Sequence, residues 1–418
     1  MTFTFLFLLA LCFSVATRYY LNSRQIQHIA KHRAEVPRDF ASKISLADHQ
    51  KAADYSISKL KLSFIDIIIQ TTLLLGFTLL GGLQWLHETL LAYMGPGVAQ
   101  QIALLISLSL ISGVIDIPLA WYRQFKLESR FGFNRMSLGL FISDLIKGTL
   151  LSLAIGLPLL WVVLSLMSEA GAYWWFWAWL VWMGFSALML WLFPTVIAPL
   201  FNRFSPLEDL ALKERIEALL QRCDFKSQGL FIMDGSKRSA HGNAYFTGMG
   251  RAKRIVFFDT LIERLSPSEI EAVLAHELGH FKRHHIRQRL WQSFAFSLAI
   301  LALLGWVSTQ AWFYLGLGVQ PEMDGHNAGL ALALFSLVLP VFSFFLTPLQ
   351  SWGSRKHEFE ADAFAAEKAN AEDLISALVK LYQDNAATLT PDPWYSRFYD
   401  SHPPAPIRIM HLQGLQQA

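Results

Sequence analysis

Cysteine is nearly absent from this 418-residue chain: Cys12 and Cys223 stand far apart, and Cys12 lies in an apolar segment. That argues against a disulfide framework and leaves no cysteine cluster for a metal, so any metal ion must be held by histidine and carboxylate. Excess charge is missing too. A formal net charge of +3 is too small for a nucleic-acid binder, and no nucleic acid is expected as a partner. Charged residues make up only 16% of the chain, against 53% hydrophobic ones, and the mean hydropathy is +0.35. Such a chain lives in a lipid bilayer. It has no repeats and no low-complexity tracts. What it does have is aromatic bulk, with 14 tryptophans and 32 phenylalanines, residues that gather at lipid interfaces and between packed spanning helices.

The first apolar run, residues 2–17, lacks the basic start and the small-residue cleavage pattern of a secretory signal and reads as a retained spanning helix. Further spans are expected near 62–86, 101–122, 137–167, 173–200, 290–318 and 327–352. The polar loop 18–61 carries Arg18, Arg24, Lys31, Arg33, Arg38, Lys43, Lys51, Lys59 and Lys61, and loop 123–136 carries Arg123, Lys126, Arg130 and Arg135. The links near 88–100, 169–172 and 320–327 have no lysine or arginine. Basic loops stay in the cytoplasm. Seven spans with an outside N-terminus follow, and they put the polar stretch 201–289 and the tail 353–418 in the cytoplasm. The membrane is then a bacterial inner membrane or the endoplasmic reticulum. The domain layout is 1–200 for spans one to five, 201–289 for a catalytic domain, 290–352 for spans six and seven, and 353–418 for a part that completes the site.

Within 201–289 an amphipathic helix is expected over 206–222, with Ser205 as its cap and Pro206 in its first turn. Short strands are expected at 229–233, 243–246 and 254–259. Ser266-Pro267-Ser268-Glu269 opens the next helix, because serine caps free amides and proline fits a first turn. That helix contains Ala275-His276-Glu277-Leu278-Gly279-His280. Positions four apart share a helix face, so His276 and His280 aim two imidazoles at one ion. Glu277 places a carboxylate beside the water that such an ion activates. The pattern is HExxH, although two histidines and a glutamate on a surface helix would read the same way.

A catalytic zinc takes three protein ligands and keeps one position open. A third histidine six residues past the second is ruled out, since position 286 is isoleucine. His284 lies roughly 12 Å from His276 along the helix axis, too far to share the ion. No acidic residue occurs from Phe281 to Pro321, and Glu322 and Asp324 emerge on the opposite side of the membrane. Glu358, in His357-Glu358-Phe359-Glu360-Ala361-Asp362, is the first carboxylate back on the correct side. Asp362, one turn on, is placed to accept a hydrogen bond from a ligand imidazole, whereas Glu360 points to another face.

These residues resemble the integral-membrane CAAX prenyl protease, type I, the zinc metalloproteases that mature yeast mating pheromone and prelamin A. Further motifs carry the likeness: Glu128-Ser129-Arg130-Phe131-Gly132-Phe133-Asn134, Asn243-Ala244-Tyr245-Phe246, Lys253-Arg254-Ile255-Val256, and Ser401-His402-Pro403-Pro404 with Arg408. The smaller membrane heat-shock protease with the same zinc motif is similar over the catalytic part only. The resemblance implies an all-α polytopic membrane protein, seven transmembrane helices around a water-filled chamber, with a cytoplasmic zincin-like α+β metalloprotease domain. It also implies that Asn243, Ala244 and Tyr245 belong to an edge strand that pairs with substrate backbone. By the same resemblance His402 and Arg408 lie near the substrate and the developing oxyanion. Asp66, Asp116, Asp144 and Lys147 interrupt spans, and either line the chamber or hold helices together.

The expected activity is zinc-assisted hydrolysis of peptide bonds, with one Zn2+ per chain on His276, His280 and Glu358 and with Glu277 as the base. The expected substrate is a peptide or a prenylated protein. Two alternatives stand beside this reading: a quality-control protease for membrane proteins without prenyl specificity, and a transporter with a structural zinc site.

Overall fold

The computed structural model of the chain describes residues 1–247, 254–322 and 327–417. Lys253 of the motifs above and Asp324 lie outside the described residues. The first part comprises α1 (Thr2–His32), α2 (Leu46–Phe77), α3 (Gly82–Met94), α4 (Val98–Phe131), α5 (Leu138–Glu169) and α6 (Gly171–Phe201). The polar region holds α7 (Leu210–Arg222) and α8 (Pro267–Lys282). Then follow α9 (His285–Val307), α10 (Ala311–Leu315), α11 (Ala328–Ser343), α12 (Thr347–Lys368), α13 (Ala371–Asp384), α14 (Pro393–Tyr399) and α15 (Ala405–Gln417). Among the described residues, helices α1, α2, α4, α5, α6, α9 and the near-continuous α11–α12 make seven that are long and apolar enough to cross a membrane.

Several sequence expectations change. Residues 18–61 are not a loop, because α1 runs on to His32 and α2 starts at Leu46 under a Ser45 cap. Charge pairing lets both helices extend past the apolar layer: Arg33 forks onto Asp54 at 2.7 and 2.8 Å, and Arg24 meets Asp392 at 2.9 Å. The run 62–86 breaks at Thr78–Gly81. Gly81 adopts φ 81°, and a Cβ on Gly82 would lie 2.6 Å from the Gly76 carbonyl oxygen. The run 290–318 spans from His285 and ends at Val307, after which buried Tyr314 donates to the Ser308 carbonyl at 2.7 Å and folds α10 back. The run 327–352 continues as α12 to Lys368, which carries Glu358 out of the membrane on a rigid element.

Four strands form one small sheet: β1 (Phe204–Pro206), β2 (Leu230–Met233), β3 (Ala244–Thr247) and β4 (Arg254–Phe258), in the order β1-β2-β4-β3. Pro206 therefore sits in an edge strand, where its missing N–H costs little. Helix α7 starts only at Leu210, where Asp209 accepts from the Leu212 N–H at 3.0 Å. Strand β3 pairs with β4 antiparallel and lies at the sheet's edge. One apolar cluster joins Ile216 and Leu219 of α7, Phe257 of β4, Leu274 and Leu278 of α8, Phe364 of α12 and Leu378 of α13. Burial of each such leucine is worth about 1.5–3 kcal/mol. This anchors one face of α8 and leaves His276, Glu277 and His280 on the other.

Residues 123–128 form a widened π-helical turn at the end of α4, which aims Glu128 inward to accept from the Tyr55 hydroxyl at 2.7 Å. Phe131 and Phe133 pack on the Tyr55 ring at 5.1 and 5.0 Å. The charged interruptions of the spans divide between the two expected uses. Asp144 receives Arg238 of the polar domain at 2.7 and 2.9 Å, Asp116 accepts from Gln70 at 2.9 Å, and Lys147 donates to the Leu200 carbonyl at 3.3 Å. Asp66 instead lines a cavity of about 870 Å³ together with Arg18, Lys59, Arg123 and Glu128.

Candidate metal centre and peptide cleft

Helix α8 begins with a full capping box: the Ser266 hydroxyl accepts from the Glu269 N–H, and the Glu269 carboxylate accepts from the Ser266 N–H. Such caps are worth about 1 kcal/mol and fix the register in which His276 and His280 share a face. Helix α12 crosses α8 closely, because Gly279 faces Ala361; a Cβ on Gly279 would stand 2.9 Å from the Ala361 Cα. The close crossing carries Glu358 to the two histidines.

Three donor groups meet there. His276 Nε2 and His280 Nε2 are 3.3 Å apart. Glu358 offers Oε2 at 3.4 Å from His276 Nε2 and Oε1 at 3.3 Å from His280 Nε2. The two carboxylate distances belong to different oxygens of one carboxyl group, and one donor atom from each of the three residues lies within 4.8 Å of the others, close enough to share one small divalent ion. A further observation favours a cation. Glu358 is 1% exposed, and its Oε2 has no hydrogen-bond partner, an arrangement that burial penalises. Burial and the Arg408 charge pull the His276 imidazole toward neutrality, yet Asp362 and Glu358 outweigh them and hold its pKa up at about 9. Among the described residues this cluster offers three candidate ligands, which leaves room for water or substrate.

Support comes from the next layer. Asp362 Oδ1 lies 2.8 Å from His276 Nδ1. Arg408 forks onto Asp362, with Nε 2.8 Å from Oδ2 and Nη2 2.5 Å from Oδ1, while Nη1 is 3.7 Å from Glu358. The structure thus ties Arg408, 6% exposed, to the carboxylate beside His276, a tie that sequence reasoning missed. Only tertiary packing brings α15 under α12, so no local signal could reveal it. Arg408→Ala would strand a buried carboxylate without its countercharge, and metal affinity is expected to fall about 10–100-fold in chelator competition. Arg408→Lys should recover little, because an ammonium replaces a fork with a point charge.

Glu277 lines a cavity of about 360 Å³ with Asn243, Ala244, Tyr382, His402 and Arg408. Burial raises the Glu277 pKa above the usual carboxylate range, against the pull of His276 and His280. A base with a raised pKa holds a transferred proton better. His402 Nε2 lies 3.4 Å from Glu358 Oε1, and its side chain is largely exposed at the cavity mouth. Tyr382, also unanticipated from sequence, accepts from the Ala405 N–H at 3.1 Å and pins the loop that bears His402. Ala244 and Phe246 pack against the core, whereas the Tyr245 hydroxyl contacts Met233 Sδ at 3.8 Å and its ring meets Phe258.

The comparisons with known proteins agree with this architecture. Residues 25–203 match the family model described as CAAX prenyl protease N-terminal, five membrane helices, and residues 206–416 match peptidase family M48. A CAAX prenyl protease 1 homolog of Arabidopsis thaliana is 35% identical, over 94% of this chain and 94% of its own length. CAAX prenyl protease 1 of Saccharomyces cerevisiae is 34% identical, over 95% and 92%. The crystal structure of S. mikatae Ste24p superposes with a TM-score of 0.93 at 32% identity, covering 99% of each chain. Seven membrane helices, a histidine–carboxylate cluster beside the edge strand of the described sheet, and likeness along nearly the whole length lead to one conclusion: this chain belongs to peptidase family M48 and is an integral-membrane, multi-pass metallopeptidase.

Proposed function

We propose that the chain is a zinc endopeptidase acting on C-terminal CAAX segments of prenylated proteins, with His276, His280 and Glu358 as the zinc ligands and the site facing the cytoplasm. The observation that carries this is the cluster of His276, His280 and Glu358, whose donor atoms lie close enough to share one ion, beside a cleft that His276 shares with Glu277 and Ala244 of β3. A bound zinc ion supplies Lewis-acid polarisation and lowers the pKa of water toward neutrality. The chain's own residues do the rest. The exposed edge of β3 pairs with an extended substrate and fixes its register, and the Asn243 side chain stands at the start of that edge. Glu277 takes a proton from the attacking water and returns it to the leaving amine. His402, at the mouth, donates to the developing oxyanion. Asp362 and Arg408 hold His276 in its ligating tautomer. The names of the relatives support the prenylated substrate, and the basic residues after α1 and within α4 support the cytoplasmic orientation.

The test is hydrolysis of a farnesylated CAAX peptide and its unprenylated twin by purified protein, with and without a zinc chelator. Cleavage is expected to cease on chelation, to return with added zinc, and to favour the farnesylated peptide in kcat/KM. Equal cleavage of both peptides would remove the prenyl specificity and leave a broader peptidase.

A further inference from the structure

Each ligand histidine has a second ring nitrogen, and the two are held in different ways. His276 Nδ1 faces Asp362 directly at 2.8 Å. His280 Nδ1 lies 3.0 Å from His285 Nδ1, and His285 Nε2 lies 2.9 Å from Glu360 Oε2. The turn between α8 and α9 makes this possible. His284 adopts a left-handed φ of 60°, a conformation several-fold enriched in histidine. The turn leaves His284 exposed and folds His285, 1% exposed, back against His280. His357 stacks on the His285 ring at 4.1 Å and 10° and fixes its plane.

Hydrogen bookkeeping gives this row a single direction once His280 Nε2 is committed to the metal. A ligating Nε2 carries no hydrogen, so Nδ1 carries it and donates to His285 Nδ1. His285 then keeps its own hydrogen on Nε2 and donates it to the Glu360 carboxylate. Both nitrogens of a buried ring are thereby satisfied. Three acids spaced two apart on α12 divide the work: Glu358 faces the ion, Asp362 supports the first histidine, and Glu360, on another face, supports the second from a distance.

We propose that His285 and Glu360 are positioning residues for the metal ligand His280, a histidine–carboxylate relay that sets its tautomer and ring orientation. This rests on the reading of His276, His280 and Glu358 as the zinc ligands. The test is zinc affinity of purified full-length protein by competition with a chromophoric chelator, beside thermal unfolding of the metal-free form. His285→Phe keeps a ring to stack on His357 but accepts no hydrogen bond, and its zinc affinity is expected to fall about 10–100-fold. His285→Asn places an amide oxygen where Nδ1 was and is expected to recover most of that loss. Glu360→Ala, at a side chain 39% exposed, is expected to weaken zinc binding several-fold while leaving metal-free unfolding in place. Wild-type affinity in His285→Phe overturns the relay, as does an Asn variant that binds no better than Phe. Should His285→Phe fail to fold, wild-type affinity in Glu360→Ala overturns it. A His280→Ala variant that binds zinc as tightly as wild type overturns the ligand reading beneath it instead.

Discussion

Replacement of Glu277 by glutamine is expected to leave a folded protein that still binds zinc and no longer cleaves peptides. Glutamine matches glutamate in size and lines the same cavity, so packing around α8 is unchanged. The three donor atoms belong to other residues, so metal content by elemental analysis should stay at the wild-type level. What is lost is the acceptor for the water's proton. General-base removal costs roughly 10²–10⁴ in rate, and the loss should fall on kcat, with KM for the farnesylated peptide little moved, because in the proposed mechanism Glu277 acts in the transition state and does not bind the peptide. A Glu277→Gln variant with half the wild-type kcat would transfer the base to another group in the cleft, His402 first. A variant without metal would make Glu277 a ligand.

The parts of this centre that were legible in the sequence obey local periodicity or topology. His276, Glu277 and His280 are fixed relative to each other by 3.6 residues per turn, and Ser266 announces the helix that holds them. Glu358 follows from counting membrane crossings, since a carboxylate must return to the side where the histidines lie. Seven spans are legible because length and apolarity are summed properties, although their ends are not. Charged side chains at helix ends found partners, such as Arg33 with Asp54, and so lengthened helices where a loop was expected. The Asp362–Arg408 fork and the His285–Glu360 pair join residues 46 and 75 positions apart, and nothing local to either motif encodes their meeting. Tyr245 makes the complementary point. Its strand was legible, but which face its ring takes depends on what β2 and β4 place beneath it.

The second large effect is expected at Gly279, the unlettered position just before His280. A Cβ there would stand 2.9 Å from the Ala361 Cα, 3.1 Å from the Ala361 carbonyl oxygen and 3.2 Å from the Phe364 Cβ. Backbone is on the receiving side, so no rotamer change relieves the contact, and Gly279→Ala must move α12 away from α8. Overpacking of this kind costs about 1–3 kcal/mol, which a chain anchored by a shared apolar cluster on both helices tolerates as a folded protein. The metal centre is less forgiving. Its three proposed ligands are divided between those two helices, and they can share one ion only while the two oxygens of Glu358 stay close to His276 and His280, at 3.4 and 3.3 Å. A displacement of about 1 Å costs on the order of 10²-fold in a positioned site. Gly279→Ala is therefore expected to unfold within a few degrees of wild type, to bind zinc at least tenfold more weakly, and to cleave peptide about a hundredfold more slowly at saturating metal. Gly279→Ser should do the same, since its extra atom begins at the same Cβ. Wild-type affinity and rate in both variants would mean that the helices have slack at this crossing. Glu358 would then owe its place to the Asp362–Arg408 fork alone, which Arg408→Ala tests separately.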